Sequence, residues 1–379
     1  MKHDFSRRDF LKVAGIGLGA MAFRPFKIEA YYDKLYAPKR LPQFPASEII
    51  GRVVDQTDVR SRPSNDPLLN NVIGVMAADD CIPWGREVLG TAVGLTNQKY
   101  LETSQGYIWA SRVQPTKNLP NTPITEMPAG QPGFWAEVTV PRIDLTLEGP
   151  AVSPWIQSHI QYNATPRACY GQVLWIDQIR QNNGFVEYRW NESPGHGYGF
   201  GDIFWLDAIG LKVLTEEDVA PISPEIDPAE KKIVADLTYQ TLSCFEGNSE
   251  VFFCRISSGA KYDPATGAIS EARATPVGDL NTHWKILSLN MSGGGSASGY
   301  STPAVPWDTV ISGEGIAIHG AFWHNDFGER RSHGCINVRP DDAKWIFRWT
   351  TPYISLAQSE ARLTWPDHGT TVTATELKL

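Results

Sequence analysis

The chain has 379 residues, of which 42% are hydrophobic and 20% charged, enough to bury the cores of two or three domains and unlike a disordered tail. A formal net charge of −8 offers no basic surface for a polyanion, so nucleic acid is not an expected partner. Beyond the N-terminus no stretch is long and apolar enough to span a bilayer as a helix.

Residues 1–30 read as an export signal. Ser6-Arg7-Arg8-Asp9-Phe10-Leu11-Lys12 precedes a small and apolar run from Val13 to Phe23, the layout of a twin-arginine signal. Gly15, Gly17 and Gly19 weaken the run as an amphipathic helix, and it is short for an ordinary span. The expected location is the cell envelope, on the outer side of the cytoplasmic membrane. Any membrane attachment falls to this segment alone, if it stays uncleaved. Residues 31–46, aperiodic and containing Pro and Lys, read as a linker.

From 47 to 117 the pattern is short strands and turns. Gly51–Val54, Val59–Pro63, Val88–Gly90 and Tyr107–Pro115 have the spacing of a small β-barrel. Tyr107 and Trp109 alternate on one face, as core or as a ligand platform. Residues 118–214 read as a second all-β module, with Asn182-Asn183-Gly184 turning a hairpin. The glycine-rich Gly195–Asp202 run lacks the strand-then-helix context of a phosphate loop and reads as a plain loop. Residues 215–228, with their prolines and acids, read as a linker.

The chemistry concentrates in 229–376. Lys232–Leu237 alternates as a strand, and Thr238–Phe245 with Glu250–Ile256 makes a hairpin. Asn290–Thr302 is Ser/Gly-rich and reads as a mobile loop, either a lid or plain surface. In Gly315–His319, Ile316 and Ile318 fall on one face while Ala317 and His319 fall on the other. Gly320 then permits a sharp turn. After a polar loop comes Ser332-His333-Gly334-Cys335-Ile336-Asn337, and a helix is expected from Pro340.

A cysteine attacks as its thiolate, and an imidazole can take the thiol proton and return it to a leaving amine. Cys335 is therefore the candidate nucleophile and His319 the candidate base and acid. The Gly334 and Cys335 N–H groups are candidate oxyanion donors. A zinc site built on His319, His324, His333 and Cys335 would lack the short, regular ligand spacing of such sites, so no metal is expected. Five cysteines leave at least one thiol unpaired within the chain. Cys244 and Cys254 flank the Glu246–Ser249 turn, either bridged across a hairpin or as two buried thiols.

An H-G, a loop and then S-H-G-C-I-N, at His319-Gly320 and Ser332–Asn337, resembles the signature of the L,D-transpeptidases, the YkuD-type enzymes that cross-link peptidoglycan. Thr275-Pro276-Val277-Gly278 resembles that family's T-P-x-G segment, and Pro340–Trp345 resembles the helix after its cysteine. The resemblance runs from about Lys231 to Ala374. It implies a β-rich catalytic domain with peptidoglycan stem peptides as partners and no cofactor. Cys335 would form a thioester with release of D-alanine, and a neighbouring stem amine would then take the acyl group in a 3→3 cross-link. By motif position Ser332, His333 and Asn337 would shape the site, and the Gly320 carbonyl would orient the imidazole, although some relatives carry a hydroxyl residue there. Arg339, less so Arg330 and Arg331, is a candidate for a substrate carboxylate, and Trp323 for packing over the stem peptide or fixing its loop. The V-R-S-x-P and G-Y-I-W-A-S-x-V-Q-P stretches resemble bacterial SH3-like domains of cell-wall enzymes, as binders or spacers. The expected fold is mainly β: one or two SH3-like barrels, then the catalytic domain.

The rival readings are an L,D-carboxypeptidase or another wall-peptide cysteine hydrolase, and a non-catalytic wall-binding protein. An endopeptidase of the NlpC type fits less well, because its cysteine precedes its histidine in the chain.

Overall fold

The computed structural model describes residues 35–195, 201–263, 266–293, 300–364 and 366–377. The export signal, the start of the first linker, and the centres of the Gly195–Asp202 and Asn290–Thr302 stretches lie outside the described residues.

Strands dominate the fold. Within 50–116, a three-stranded and a five-stranded sheet share an apolar core of Val53, Val59, Leu101, Ile108 and Val113. They are open sheets that do not close on themselves, an arrangement compatible with the expected small SH3-like module. Within 134–213 a six-stranded sheet forms around the expected hairpin. Asn183 and Gly184 take φ of 51° and 80°, the left-handed pair that a two-residue turn between twisted strands requires. This unit is not all-β. Pro154 opens a helix, Pro154–Gln161, that buries Trp155 and Ile156. The Trp155 indole reaches Glu192 Oε1 at 2.8 Å.

Both expected linkers are packed where they are described. Leu41 N–H donates to Asp207 Oδ2 at 3.0 Å and Lys39 Nζ to the Leu145 carbonyl at 2.7 Å, strapping the first against the six-stranded unit. In the second, Thr215 and Asp218 form a capping box for the short helix Glu216–Val219, and Leu214 and Val219 enter the main core.

The C-terminal region holds two five-stranded sheets. In the first, Lys231–Asp236 lies between the antiparallel Thr241–Glu246 and the parallel Thr371–Thr375. The second runs Ile336–Val338, Ala317–Gly320, Tyr300–Val310, Trp284–Gly293 and Glu360–Arg362 in spatial order. The flanks of the expected Asn290–Thr302 loop are strand here: Met291 pairs with Thr302 and Gly293 with Tyr300. Ile233, Leu242, Leu287, Trp307, Ile318, Ile336, Val338 and Val372 form one apolar core. The helix Pro340–Trp349 adds Ala343, Ile346, Phe347 and Trp349 to it. Trp345 stacks on Trp349 at 5.7 Å and on Phe252 at 4.2 Å, so the helix tryptophans pack inward.

Two buried lysines end that helix. Lys285 Nζ donates to the Phe347 and Thr350 carbonyls, and Lys231 Nζ to those of Trp349 (3.1 Å) and Ile222 (2.9 Å). A helix C-terminus leaves such carbonyls without intrahelical partners. Burial, and secondarily Lys231, hold the Lys285 amine well below its usual range.

Cys244 pairs in register with Phe252, and Cys254 with Leu242, so the two cysteines are offset along the hairpin and remain free, buried thiols. Thiol titration in denaturant should count all five cysteines, while in the native protein Cys169, Cys244 and Cys254 stay unreactive. Lys285→Met strips two buried carbonyls of their donor and should cost about 2–4 kcal/mol in urea unfolding. The same change at exposed Lys232 should stay within about 0.5 kcal/mol.

Candidate active site

The parallel pairing of Ala317–Gly320 with Ile336–Val338 builds the site. Ile318 lies opposite Ile336, and His319 opposite Asn337. Because side chains alternate along a strand, Ile318 and Ile336 enter the core while His319 and Asn337 share the other face. Cys335, one residue before its strand, falls on that second face, and Ala317 N–H donates to its Sγ at 3.4 Å. The sequence-level placement of His319 away from the isoleucines therefore holds, and the topology puts Cys335 diagonally beside it.

His319 is buried, and its Nδ1 lies 3.4 Å from the Gly320 carbonyl. With Nδ1–H given to that carbonyl, Nε2 is left as the basic nitrogen. A Cβ at Gly320 would stand 2.9 Å from Pro306 Cγ and 3.0 Å from Pro340 Cα, which excludes a hydroxyl side chain here. Trp323 stacks against the ring at 5.8 Å and keeps its other side partly exposed. Burial drops the imidazole to about 4, with the Gly320 carbonyl opposing. Cys335 is partly exposed as a residue, yet its apolar surroundings push the thiol up to about 11. At neutral pH the imidazole and the thiol are thus both uncharged.

The turn carrying Cys335 is tied from within. Ser332 Oγ donates to the Cys335 carbonyl and accepts the Gly334 N–H at 3.1 Å. That N–H is consequently taken, and Cys335's own is the remaining one of the two expected oxyanion donors. Gly334 sits at φ +126°, and a Cβ there would stand 2.6 Å from Ile316 Cδ1, so only glycine fits. Thr275 Oγ1 donates to the Gly334 carbonyl at 2.8 Å and accepts the Gly259 N–H at 2.9 Å. Asn337 exchanges both main-chain bonds with Ser257, at 2.9 and 3.0 Å. Its amide meets His324 Nε2 at 2.9 Å, while His324 Nδ1 accepts the Asp326 N–H at 3.1 Å. With Nδ1 accepting, a neutral ring carries its proton on Nε2; Asn337 Nδ2 faces that nitrogen, and only with the amide turned over would its oxygen receive the proton. Burial keeps His324 well below the usual imidazole range.

The loop between His319 and Ser332 is braced by the first β unit. Arg52, fixed by Gln114 (2.8 Å) and Asp79 (2.6 Å), donates to the Phe322 carbonyl. Asn325 bonds the Ser111 and Ala110 carbonyls at 3.2 and 3.1 Å, and Glu329 Oε1 accepts the Asn97 N–H at 2.7 Å.

A cleft of about 1370 Å³ opens between that unit and the C-terminal region. Trp109, Tyr239, Arg273, Arg330, Arg331 and His333 line it. His333 is exposed, with its ring 4.6 Å from that of Tyr300. Arg339 is elsewhere: its guanidinium lies over Phe327 at 5.9 Å, in a separate depression with Asp342. Arg273, which sequence reasoning passed over, lines the cleft in its place. Thr275, Ser257 and the Arg52 brace were also missed as site residues. Only the T-P-V-G segment carried a signal, and it named no role for its threonine.

Residues 230–373 match the family model described as YkuD, L,D-transpeptidase catalytic domain. L,D-transpeptidase 2 of Mycobacterium tuberculosis (strain CDC 1551 / Oshkosh) is 27% identical over 116 residues, which cover 28% of this chain. The match spans 28% of that relative's own length. Among solved structures, the catalytic domain from the E. faecium L,D-transpeptidase is 22% identical, covers 38% of this chain and 96% of that one, and has a TM-score of 0.28. The L,D-transpeptidase from Mycobacterium smegmatis is 16% identical, covers 53% and 98%, and has a TM-score of 0.30.

Thr275→Val removes one donor and one acceptor that hold the cysteine turn and should cost about 1–3 kcal/mol by chemical denaturation. Protonation supplies a second check. His319 takes up its proton near 6.5 when unfolded but near 4 when folded, and His324 is shifted the same way. Stability is thus full above about 6.5 and falls as pH drops toward 4, read as a declining thermal midpoint that His319→Gln makes shallower.

Proposed function

We propose, on the premise that residues 230–373 are a YkuD-type L,D-transpeptidase catalytic domain, that the chain is a peptidoglycan L,D-transpeptidase with Cys335 as nucleophile and His319 as base and acid. The observation that carries this reading is the common face of His319, Asn337 and Cys335 created by one parallel strand pair.

His319 Nε2 takes the thiol proton as Sγ attacks the carbonyl before the terminal D-alanine of a stem tetrapeptide. General-base transfer during attack suits a site whose thiol and imidazole are both neutral at rest. The Cys335 N–H stabilises the oxyanion. The imidazolium then returns its proton to the departing D-alanine amine, leaving a thioester on Cys335. An amine of a second stem attacks this thioester, gives its proton to His319, and regenerates the thiol as the cross-link forms. Trp323 holds the imidazole plane, and Arg273 and Arg331 line the cleft that reaches His333, two residues before Cys335, where stem carboxylates would be met. The units at 47–117 and 118–214 serve as supports, the first through its hold on the His319–Ser332 loop. The Arg7-Arg8 segment would deliver the chain across the membrane to its substrate.

Incubation with a stem tetrapeptide should release D-alanine and, with an acceptor stem present, give a cross-linked dimer. Cys335→Ala should abolish both products, and His319→Ala should slow them by about 10²–10⁴-fold. D-alanine release without dimer at any acceptor concentration would make the enzyme a carboxypeptidase. Undiminished release by Cys335→Ala would end the cysteine reading.

A further inference from the structure

Asp308 lies near the end of the strand Tyr300–Val310, fully buried, with neither carboxyl oxygen finding a hydrogen-bond partner. An acid in that state is costly and calls for a reason. Its strand neighbour Trp307 belongs to the apolar core, as does Ile318, the residue opposite Thr309. Asp308 therefore belongs to the reverse face. The antiparallel register pairs Thr309 with Ile318 and Val310 with Ala317. Continued by one step beyond its last pair, that register sets Asp308 across from His319, which itself stands opposite Asn337. The row Asp308, His319, Asn337 thus crosses three strands on the face that carries Cys335.

We propose that Asp308 is a further positioning residue of the site, acting through His319: its carboxyl, set opposite the imidazole across the sheet, governs the transfer of the Cys335 proton to that ring. Burial favours the protonated form of Asp308, so near neutral pH it gives the imidazolium no charge stabilisation; once ionised at higher pH, it stabilises the imidazolium as the proton leaves Sγ and disfavours the free thiolate. The proton goes on to the leaving amine, and Asp308 ends each cycle as it began. The coupling is also felt at the sulfur. Among the influences on the thiol, after burial and the Ala317 N–H, the Asp308 charge is the one that disfavours the thiolate.

The other ionisable groups on the elements packed around this strand are engaged elsewhere. Ile286, opposite Asp308 on the neighbouring strand, is apolar, and Lys285 beside it points to the helix carbonyls. On the helix Pro340–Trp349, Lys344 pairs with Glu137, Arg348 donates to the Ala220 carbonyl, Asp341 meets the Tyr170 hydroxyl, and Asp342 lies near Arg339. From the 134–213 unit, Asp177 pairs with Arg189, and His159 bonds the Trp155 carbonyl. Among the described residues, His319, Cys335 and His324, which meets the Asn337 amide at the end of the row, are the titrating groups on the face of Asp308, and burial keeps His324 well below the usual imidazole range.

This assignment rests on Cys335 being the nucleophile, but its test does not require substrate. Iodoacetamide alkylation of Cys335 is followed against pH in the wild type and in Asp308→Asn, which keeps the side-chain shape and removes the charge. The variant's profile should move to lower pH by about one unit as the like charge is lost. Because burial favours the protonated form of Asp308, D-alanine release by the variant should match the wild type near neutral pH and part from it in kcat, with KM little changed, in the alkaline range where Asp308 ionises. Superimposable alkylation profiles would overturn the assignment whatever happens to thermal stability, and would leave the Cys335 mechanism intact. Should Asp308→Asn not fold, the wild type answers by infrared spectroscopy. Attaching a cationic methanethiosulfonate to Cys335 should abolish a buried carboxylic-acid absorption, and an unchanged band would refute the coupling.

Discussion

One strand pairing sets the geometry of the active face. The Ala317–Gly320 and Ile336–Val338 strands run parallel, with His319 opposite Asn337 and Ile318 opposite Ile336. A slip of one residue would turn His319 into the apolar core and an isoleucine out to the face that carries Cys335. The register is secured by what each face is made of. Ile318, Ile336 and Val338 join Trp307 and Phe347 in a dry core, so hydrophobic burial itself holds the imidazole and the cysteine on the opposite face.

The pairing is necessary but short, and the segments between its strands need outside support. That support comes from three directions. Ser332 and Thr275 fix the turn before Cys335. The Ser257–Ala260 segment bonds to Asn337 and Ser332 on either side of the cysteine. The first β unit, through Arg52, Ser111 and Asn97, holds the loop that carries Trp323 and His324. A region far away in sequence is thereby built into the geometry of the site, and the cleft is formed jointly by the two regions.

Much of this was legible in the residues. Period-two alternation placed Lys232–Leu237 and the His319 strand, Asn183-Gly184 announced its hairpin, and Pro340 with the acids after it announced the helix. The pair Cys335 and His319 stood out because glycines flank both. What stayed hidden depends on tertiary contact. Thr275 is an ordinary threonine until Gly259 and Gly334 close around it. Asp308 reads as a polar strand residue until burial leaves it without partners. Arg339 follows the cysteine motif closely, yet the strand and the helix N-terminus that it joins carry it over Phe327 and away from the large cleft. The Pro154–Gln161 helix was missed because eight residues give too short an apolar period to separate from a strand.

The central claim is that Cys335 and His319 operate as one chemical unit. Intact-protein mass spectrometry of the chain mixed with a stem tetrapeptide, followed by peptide mapping, addresses it most directly. A covalent adduct lacking the terminal D-alanine, mapped to Cys335 in the wild type and missing from His319→Ala on the same timescale, is the predicted result. An adduct on any other residue, or one that forms at full rate without His319, would contradict it.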